Sequence, residues 1–233
     1  MLKLGVPSKG RLMEETFAWF AARGITLAKT GGAREYVGRV SGIEGVEMVM
    51  LSAGEVPREL AAGRIRLGVT GSDLIHEKLA QWQAQVTPIA PMGFGHADLI
   101  IAVPAFWTDC TTLHDLDAVA ASFRAHHGFR LRIATKYHRL VRQFLAREGV
   151  ADYQLVDSQG ATEGTVKNET AEAIADITTT GETLRANHLR ILEEGLIHES
   201  QATLFMSKVA AMSGQEEESL RDLKARLQGK PAS

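Results

Sequence analysis

Cysteine is almost missing from this 233-residue chain; Cys110 is the single one. One cysteine closes no internal disulfide, and no Cys/His spacing resembles a zinc site. Cys110 reads better as a small packed residue than as a nucleophile. Long hydrophobic runs are missing as well. No apolar stretch reaches the roughly 18 residues that a membrane span requires. The opening "MLKLGVPSKGRL" lacks the apolar core of a signal peptide. A cytoplasmic protein is expected. An excess of one charge sign is also lacking: 26 Lys and Arg stand against 28 Asp and Glu, a net charge of −2. Composition therefore gives no argument for nucleic acid or membrane binding. No internal repeat and no low-complexity segment stands out.

What is present is an ordinary globular mixture, 45% hydrophobic and 23% charged, in a chain long enough to bury a real core. Strand patterns alternate with helix patterns. "LKLGVP", "ITLAK", "VEMVML", "IRLGVT", "ADLIIAVP", "RLRIAT", "DYQLVDS", "AIADIT" and "SQATLFMS" read as strands. Helices are expected over "SKGRLMEETFAWFAARG", "PRELAAG", "GSDLIHEKLA", "LHDLDAVAASFRAHHG", "KYHRLVRQFLAREG" and "GETLRANHLRILEEG", and a charged, exposed one over "EEESLRDLKARLQGK". The alternation predicts an α/β fold with largely parallel sheets. "PIAPMGFGHAD", with its prolines and glycines, is the expected crossover between two lobes. Lobe one then comprises residues 1–92, lobe two 93–180, and residues 181–233 return to lobe one and add the helical tail. A cleft between two such lobes is a natural ligand site.

Five stretches carry groups suited to an anionic ligand. "PSKGRL" follows the first strand and puts Lys9 and Arg11 at a helix start, where backbone N–H groups already favour anions. It lacks the GxxxxGKS/T spacing of a Walker A loop. "GVTGSDL" places Asp73 in a first helical turn, as a dipole partner or a ligand contact. "ATKY" sets Thr135 and Lys136 at a strand–helix junction, with Arg139 and Arg142 on the following helix face. "GATEGTV" holds Glu163 between glycines, either as an exposed loop acid or as an acceptor for sugar hydroxyls. "IADITTTGETL" ends a strand with Asp176 and then clusters Thr178, Thr179, Thr180 and Thr183 around Gly181. Two readings of that cluster stay open: a capped helix start, or a phosphate cradle of hydroxyls and free N–H groups beside an acid that binds a sugar.

Taken in order, "GVPSKGRL", "LGVTGSDL", "RIATKYHRLVRQFL", "GATEGTV" and "AEAIADITTTGETLRANHL" resemble the ATP phosphoribosyltransferase family, over residues 2 to about 207. The last motif is the most specific. The resemblance implies a two-lobed, periplasmic-binding-protein-like (type II) α/β fold. It implies transfer of a phosphoribosyl group from phosphoribosyl pyrophosphate to ATP, with Mg²⁺ bound mainly through substrate phosphates. By the same resemblance, Thr178, Thr179, Thr180, Gly181, Glu182 and Thr183 bind the 5-phosphate end, with Asp176 and Glu163 on the ribose hydroxyls. Lys9 and Arg11 serve the departing pyrophosphate. ATP falls to Arg11, Asp73, Thr135, Lys136, Tyr137 and Arg139. The length resembles the family's short form, which implies a separate regulatory subunit similar to histidyl-tRNA synthetase in a hetero-octamer. The chain departs from the family at Ser52 and Glu55, where many members read Arg-x-x-Asp-Ile-Pro, and at His138, which replaces the proline of Lys-Tyr-Pro. Two other classes fit the layout: a non-catalytic two-lobed solute-binding protein, and the ligand-sensing domain of a transcription regulator.

Overall fold

The structure is a computed structural model and describes residues 1–29, 37–158, 160–209 and 211–228. The chain divides into two compact units, Met1–Gly95 with Gln201–Ser233, and His96–Ser200. Unit one opens with β1 (Leu2–Pro7), α1 (Gly10–Ala21), β2 (Thr26–Lys29), β3 (Val37–Ser41), β4 (Val46–Leu51) and α2 (Val56–Ala61). It continues with β5 (Leu67–Gly71), α3 (Ser72–Lys78), α4 (Trp82–Gln85) and β6 (Val86–Pro91). Unit two runs β7 (Ala97–Pro104), α5 (Leu113–His127), β8 (Leu131–Thr135), α6 (His138–Arg147) and β9 (Tyr153–Asp157). It ends with α7 (Gly164–Lys167), β10 (Ala173–Thr178), α8 (Glu182–Ala186) and β11 (Leu189–Ser200). The chain then returns to unit one with β12 (Ala202–Ser207) and α9 (Gly214–Gln228).

Unit one holds a seven-stranded sheet in the order β2-β3-β4-β1-β5-β12-β6. β1 lies between two parallel neighbours, β4 and β5, and is buried at every position but Lys3. A near-continuous apolar run is what a strand covered on both faces requires. Gly5 lets Ile65 approach β1 closely: a Cβ there would lie 2.5 Å from Ile65 Cδ1, and that side chain would have to shift. The tail departs from expectation. α9 is not an exposed helix, because Leu220 and Leu223 are buried in the core formed with Leu2, Leu4 and Phe20. Burying a leucine contributes about 1.5–3 kcal/mol. The last residues of that expected helix, 229 and 230, lie outside the described residues.

Unit two holds a five-stranded sheet in the order β11-β7-β10-β8-β9. β8 is parallel to both β9 and β10, whereas β7 is antiparallel to β10 and β11. Both sheets are thus mixed rather than largely parallel. Sequence patterns mark strands but not their partners. α5 starts in a capping box, in which Thr112 and Asp115 each accept from the other's backbone N–H, and stops at Gly128, whose φ of 77° is left-handed.

The stretch "LRILEEG" was expected to be helical and is the first half of β11. Its buried residues Leu189, Leu192 and Gly195 recur every third position, which mimics a helical stripe. Register shifts between Ile191 and Leu196, and again before His198, produce that spacing in a strand. The pairing of β11 with β7 also moves the second boundary from near residue 180 to residue 200. The first boundary, expected at 92, falls at 95. β3, β6 and the one-turn helices α4 and α7 were not anticipated.

Candidate functional site

Parallel pairing gathers chemistry at one edge of the unit-two sheet. β8, β9 and β10 point the same way; 136–137 lead from β8 into α6, 179–181 lead from β10 into α8, and α7 is the next helix after β9. Loops at the carboxyl ends of parallel strands are where open α/β sheets take ligands. A pocket of about 350 Å³ lies at this edge, lined by Glu163, Asp176, Thr178, Thr179, Thr180, Glu182 and Thr183 among others. Ala97, at the start of β7, and the apolar Ile174, Ile177 and Leu184 complete its wall.

The threonine loop divides its hydroxyls between two tasks. Thr178 Oγ1 accepts from the Gly181 N–H at 2.9 Å, and Thr180 Oγ1 accepts from the Glu182 N–H at 3.4 Å. Thr179 Oγ1 donates to the His96 carbonyl at 3.2 Å. These bonds fasten the loop to itself and to the start of β7. Among the described residues, the Thr183 hydroxyl has no protein partner, and it is exposed in the pocket wall. Gly181 turns the chain into α8 at a φ of 71°, where a side chain would be strained and its Cβ would meet Arg185 Nη1 at 3.1 Å.

Two acids face the same space. Asp176 Oδ1 accepts from the Ile177 N–H at 2.8 Å and lies 3.4 Å from Lys136 Nζ. Glu163 precedes α7, and its carboxylate has no protein partner among the described residues. Lys136 follows directly on β8, the strand beside β10, so its ammonium reaches across one strand to Asp176. Sequence reasoning missed this pairing, because α6, β9 and α7 separate the two residues in the chain.

The remaining unit-two residues support the junction from inside. Thr135 is fully buried, and its Oγ1 accepts from the Tyr137 N–H at 2.9 Å. Tyr137 is 2% exposed, so its ring packs in the interior. Arg139 lies half-buried on α6. His138 caps the open end of β9, with Nε2 3.2 Å from Asp157 Oδ1.

Lys9, Arg11 and Asp73 belong to unit one. There β1, β4 and β5 are parallel, and the loops after all three emerge at one edge. Lys9 precedes α1, and Arg11 pairs with Glu15 at 3.0 Å with its side chain 87% exposed. Such a pair adds little stability. Asp73 is buried in the first turn of α3. Ser52 and Glu55, which depart from the family pattern, satisfy each other: Ser52 N–H and Oγ donate to Glu55 Oε2 at 2.9 and 2.7 Å. The hydroxyl bond and the backbone bond hold the Glu55 carboxyl below the usual glutamate range. Cys110 is buried, and burial pushes its thiol up, against the nearby Arg190. That environment suits packing rather than nucleophilic attack.

Comparison with known proteins adds to this geometry. Residues 52–229 match the family model described as HisG, ATP phosphoribosyltransferase. A protein of Cereibacter sphaeroides named ATP phosphoribosyltransferase is 74% identical over 212 residues, covering 91% of this chain and 90% of its own length. One of the same name from Mesorhizobium japonicum is 48% identical over 228 residues, 97% of this chain and 98% of its own. Among solved structures, the ATP phosphoribosyl transferase (HisG:HisZ) complex of Thermotoga maritima aligns with a TM-score of 0.71 at 21% identity, covering 98% of this chain and 97% of that one. The putative periplasmic sulfonate-binding protein SsuA of Methylobacillus flagellatus aligns at 0.52 and 16%, over 89% and 61%. Both likenesses are of fold, the two-lobed type II architecture.

Proposed function

The chain belongs to the ATP phosphoribosyltransferase family, and from that membership we infer how its own residues carry the family's reaction. ATP and 5-phosphoribosyl 1-pyrophosphate give N1-(5-phosphoribosyl)-ATP and pyrophosphate, the first step of L-histidine biosynthesis. The observation that supports a sugar-phosphate site in unit two is the convergence of Asp176, Glu163 and the threonine–glycine loop on one pocket of about 350 Å³.

In this reading the 5-phosphate lies against residues 178–183. The Thr183 hydroxyl donates to it directly. Thr178 and Thr180 accept from the backbone and still keep their own O–H for the ligand. Asp176 and Glu163 accept from the ribose hydroxyls, and Lys136 holds the Asp176 carboxylate in place. Adenine N1 brings its lone pair to the anomeric carbon as the bond to pyrophosphate breaks. N1 carries no proton at neutral pH, so the reaction needs no general base, and rate comes from alignment and charge stabilisation. Lys9 and Arg11 are assigned to pyrophosphate, and Asp73 and Arg139 to ATP, on the family resemblance. Thr135 and Tyr137, both buried, act by shaping the junction that carries Lys136.

Among the described residues no three His, Cys, Asp or Glu side chains converge as an all-protein metal cage. The unpartnered Glu163 carboxylate in the pocket wall fits a Mg²⁺ that arrives on substrate phosphates, held through water. When bound, that ion neutralises charge on the leaving pyrophosphate. The Thermotoga maritima protein is a complex of HisG with HisZ. We extend this to a regulatory subunit for the present chain, similar to histidyl-tRNA synthetase, in a hetero-octamer.

Asp176→Ala tests the assignment. Adduct formation should fall by roughly a hundredfold or more, as for loss of a contact to the reacting sugar, with an unchanged circular dichroism spectrum. Near-normal turnover in that variant removes Asp176 from the site. A solute-binding protein without catalysis would titrate ligand and release no pyrophosphate.

A further inference from the structure

The opposite end of the unit-two sheet carries a second pocket that the reaction above does not use. It measures about 370 Å³ and is lined by Arg130, Arg142 and residues 151–155, among them Asp152, Tyr153 and Leu155. That size falls in the range of small-molecule sites. β8 and β9 are in register from Leu131 opposite Tyr153 to Thr135 opposite Asp157. The lining residue nearest the first edge, Leu155, is still two strand residues, about 7 Å, short of Asp157.

Its charges are unusual. Arg130 immediately precedes β8, and Arg142 projects from α6. Among the described residues neither guanidinium has a hydrogen bond or ion pair, and both are exposed. The neighbouring acids are already engaged. Asp152 is paired with Arg124, and Asp117 accepts from the Ala151 N–H at 2.7 Å. Two unpaired cations thus face one pocket whose lining carboxylate, Asp152, is already engaged by Arg124. Tyr153, half-buried, lines the same pocket. Burial pushes its phenol up, while Arg142 and Arg130 pull it down, which places both cations within electrostatic reach of the ring. β9 is the edge strand of its sheet, so the pocket opens along an uncovered margin.

We propose that this pocket binds a small phosphorylated organic molecule, with the phosphate between Arg130 and Arg142 and the organic body against the Tyr153 ring and Leu155. A phosphate monoester carries close to two negative charges at neutral pH and three terminal oxygens, which match two guanidinium forks. A carboxylate supplies half that charge. The aromatic ring and the leucine give an apolar body a surface that inorganic phosphate would leave uncovered. This site is independent of the catalytic reading.

The test is a titration of the full chain with phenyl phosphate, read as the shift of the Tyr153 ring resonances in tyrosine-labelled protein. Three tyrosines in the sequence keep the assignment simple. Inorganic phosphate and benzoate serve as comparison ligands. Saturable shifts with phenyl phosphate are expected, at an affinity at least roughly tenfold above either comparison ligand, about one 1.4 kcal/mol step. They should vanish in R130Q/R142Q, persist in part in R130K/R142K, and persist fully in T183V. Unchanged shifts in R130Q/R142Q overturn the proposal, as does benzoate binding as well as phenyl phosphate. Equal affinity for inorganic phosphate overturns the role of Tyr153 and Leu155. Loss of the shifts in T183V would mean that the ligand acts from the catalytic pocket, which also overturns it.

Discussion

Thr183→Val separates binding from folding more cleanly than any other change in the threonine loop. Valine keeps the shape of threonine and removes one hydroxyl. That hydroxyl has no protein partner among the described residues and faces the pocket, so its loss should leave stability within about 0.5 kcal/mol of the parent. A hydrogen bond to a charged group contributes about 1.5–3 kcal/mol. At about 1.4 kcal/mol per tenfold, KM for phosphoribosyl pyrophosphate should rise roughly ten- to a hundredfold. KM for ATP should stay within about twofold, since a hydroxyl that touches only the 5-phosphate adds nothing to ATP binding. Thr178→Val is the contrast. Its Oγ1 accepts from the Gly181 N–H at 2.9 Å, so that variant should lose about 1 kcal/mol of stability as well as substrate affinity. Steady-state kinetics with each substrate varied, together with urea unfolding, reads both. Equal effects on the two substrates in Thr183→Val, or none on either, would refute the 5-phosphate cradle.

Other variants test the surrounding structure. Lys136→Met removes a partner 3.4 Å from Asp176 whose side chain is 43% exposed. Stability should therefore change by less than about 1 kcal/mol, while KM for phosphoribosyl pyrophosphate rises; a rise confined to ATP would return Lys136 to the nucleotide. Asp115 accepts from the backbone and hydroxyl of Thr112 and from Thr111, which holds its carboxyl down to about 2. The folded pKa lies below the unfolded value of about 3.9, so this stabilisation is complete above that pH and disappears as pH falls through about 2. Asp115→Asn should accordingly be less stable than the parent at pH 6 in urea titrations, with the gap narrowing toward pH 2; a gap independent of pH would show that the charge is not what caps α5. Leu223→Ala should cost about 2–5 kcal/mol, because Leu223 is 1% exposed in the unit-one core; a loss below about 0.5 kcal/mol in thermal unfolding would mean that α9 does not pack there.

The strands were legible where one physical signal dominated. "LKLGVP", "ADLIIAVP" and "AIADIT" coincide with β1, β7 and β10, because buried apolar runs bounded by turn residues have few alternatives. β11 was misread because its bulges restore a three-residue spacing of buried positions. α9 looked exposed because its charges outnumber its leucines, yet Leu220 and Leu223 suffice to dock it. The members of the candidate site were legible as a composition of hydroxyls, acids and a glycine at strand ends. Their partners were not. The reach of Lys136 to Asp176 depends on β8 lying beside β10, a pairing that no local pattern encodes. The inward turn of Thr135 and Tyr137 likewise follows from packing, not from residue type.

The central claim is that the 178–183 loop holds the 5-phosphate and that Asp176 holds the ribose. A crystal structure of the chain with phosphoribosyl pyrophosphate tests it most directly. The account predicts phosphate oxygens within about 2.7–3.0 Å of Thr183 Oγ1 and of backbone N–H groups at the start of α8, with ribose hydroxyls on Asp176. A 5-phosphate seated away from this loop, with Asp176 still paired to Lys136 alone, would contradict it.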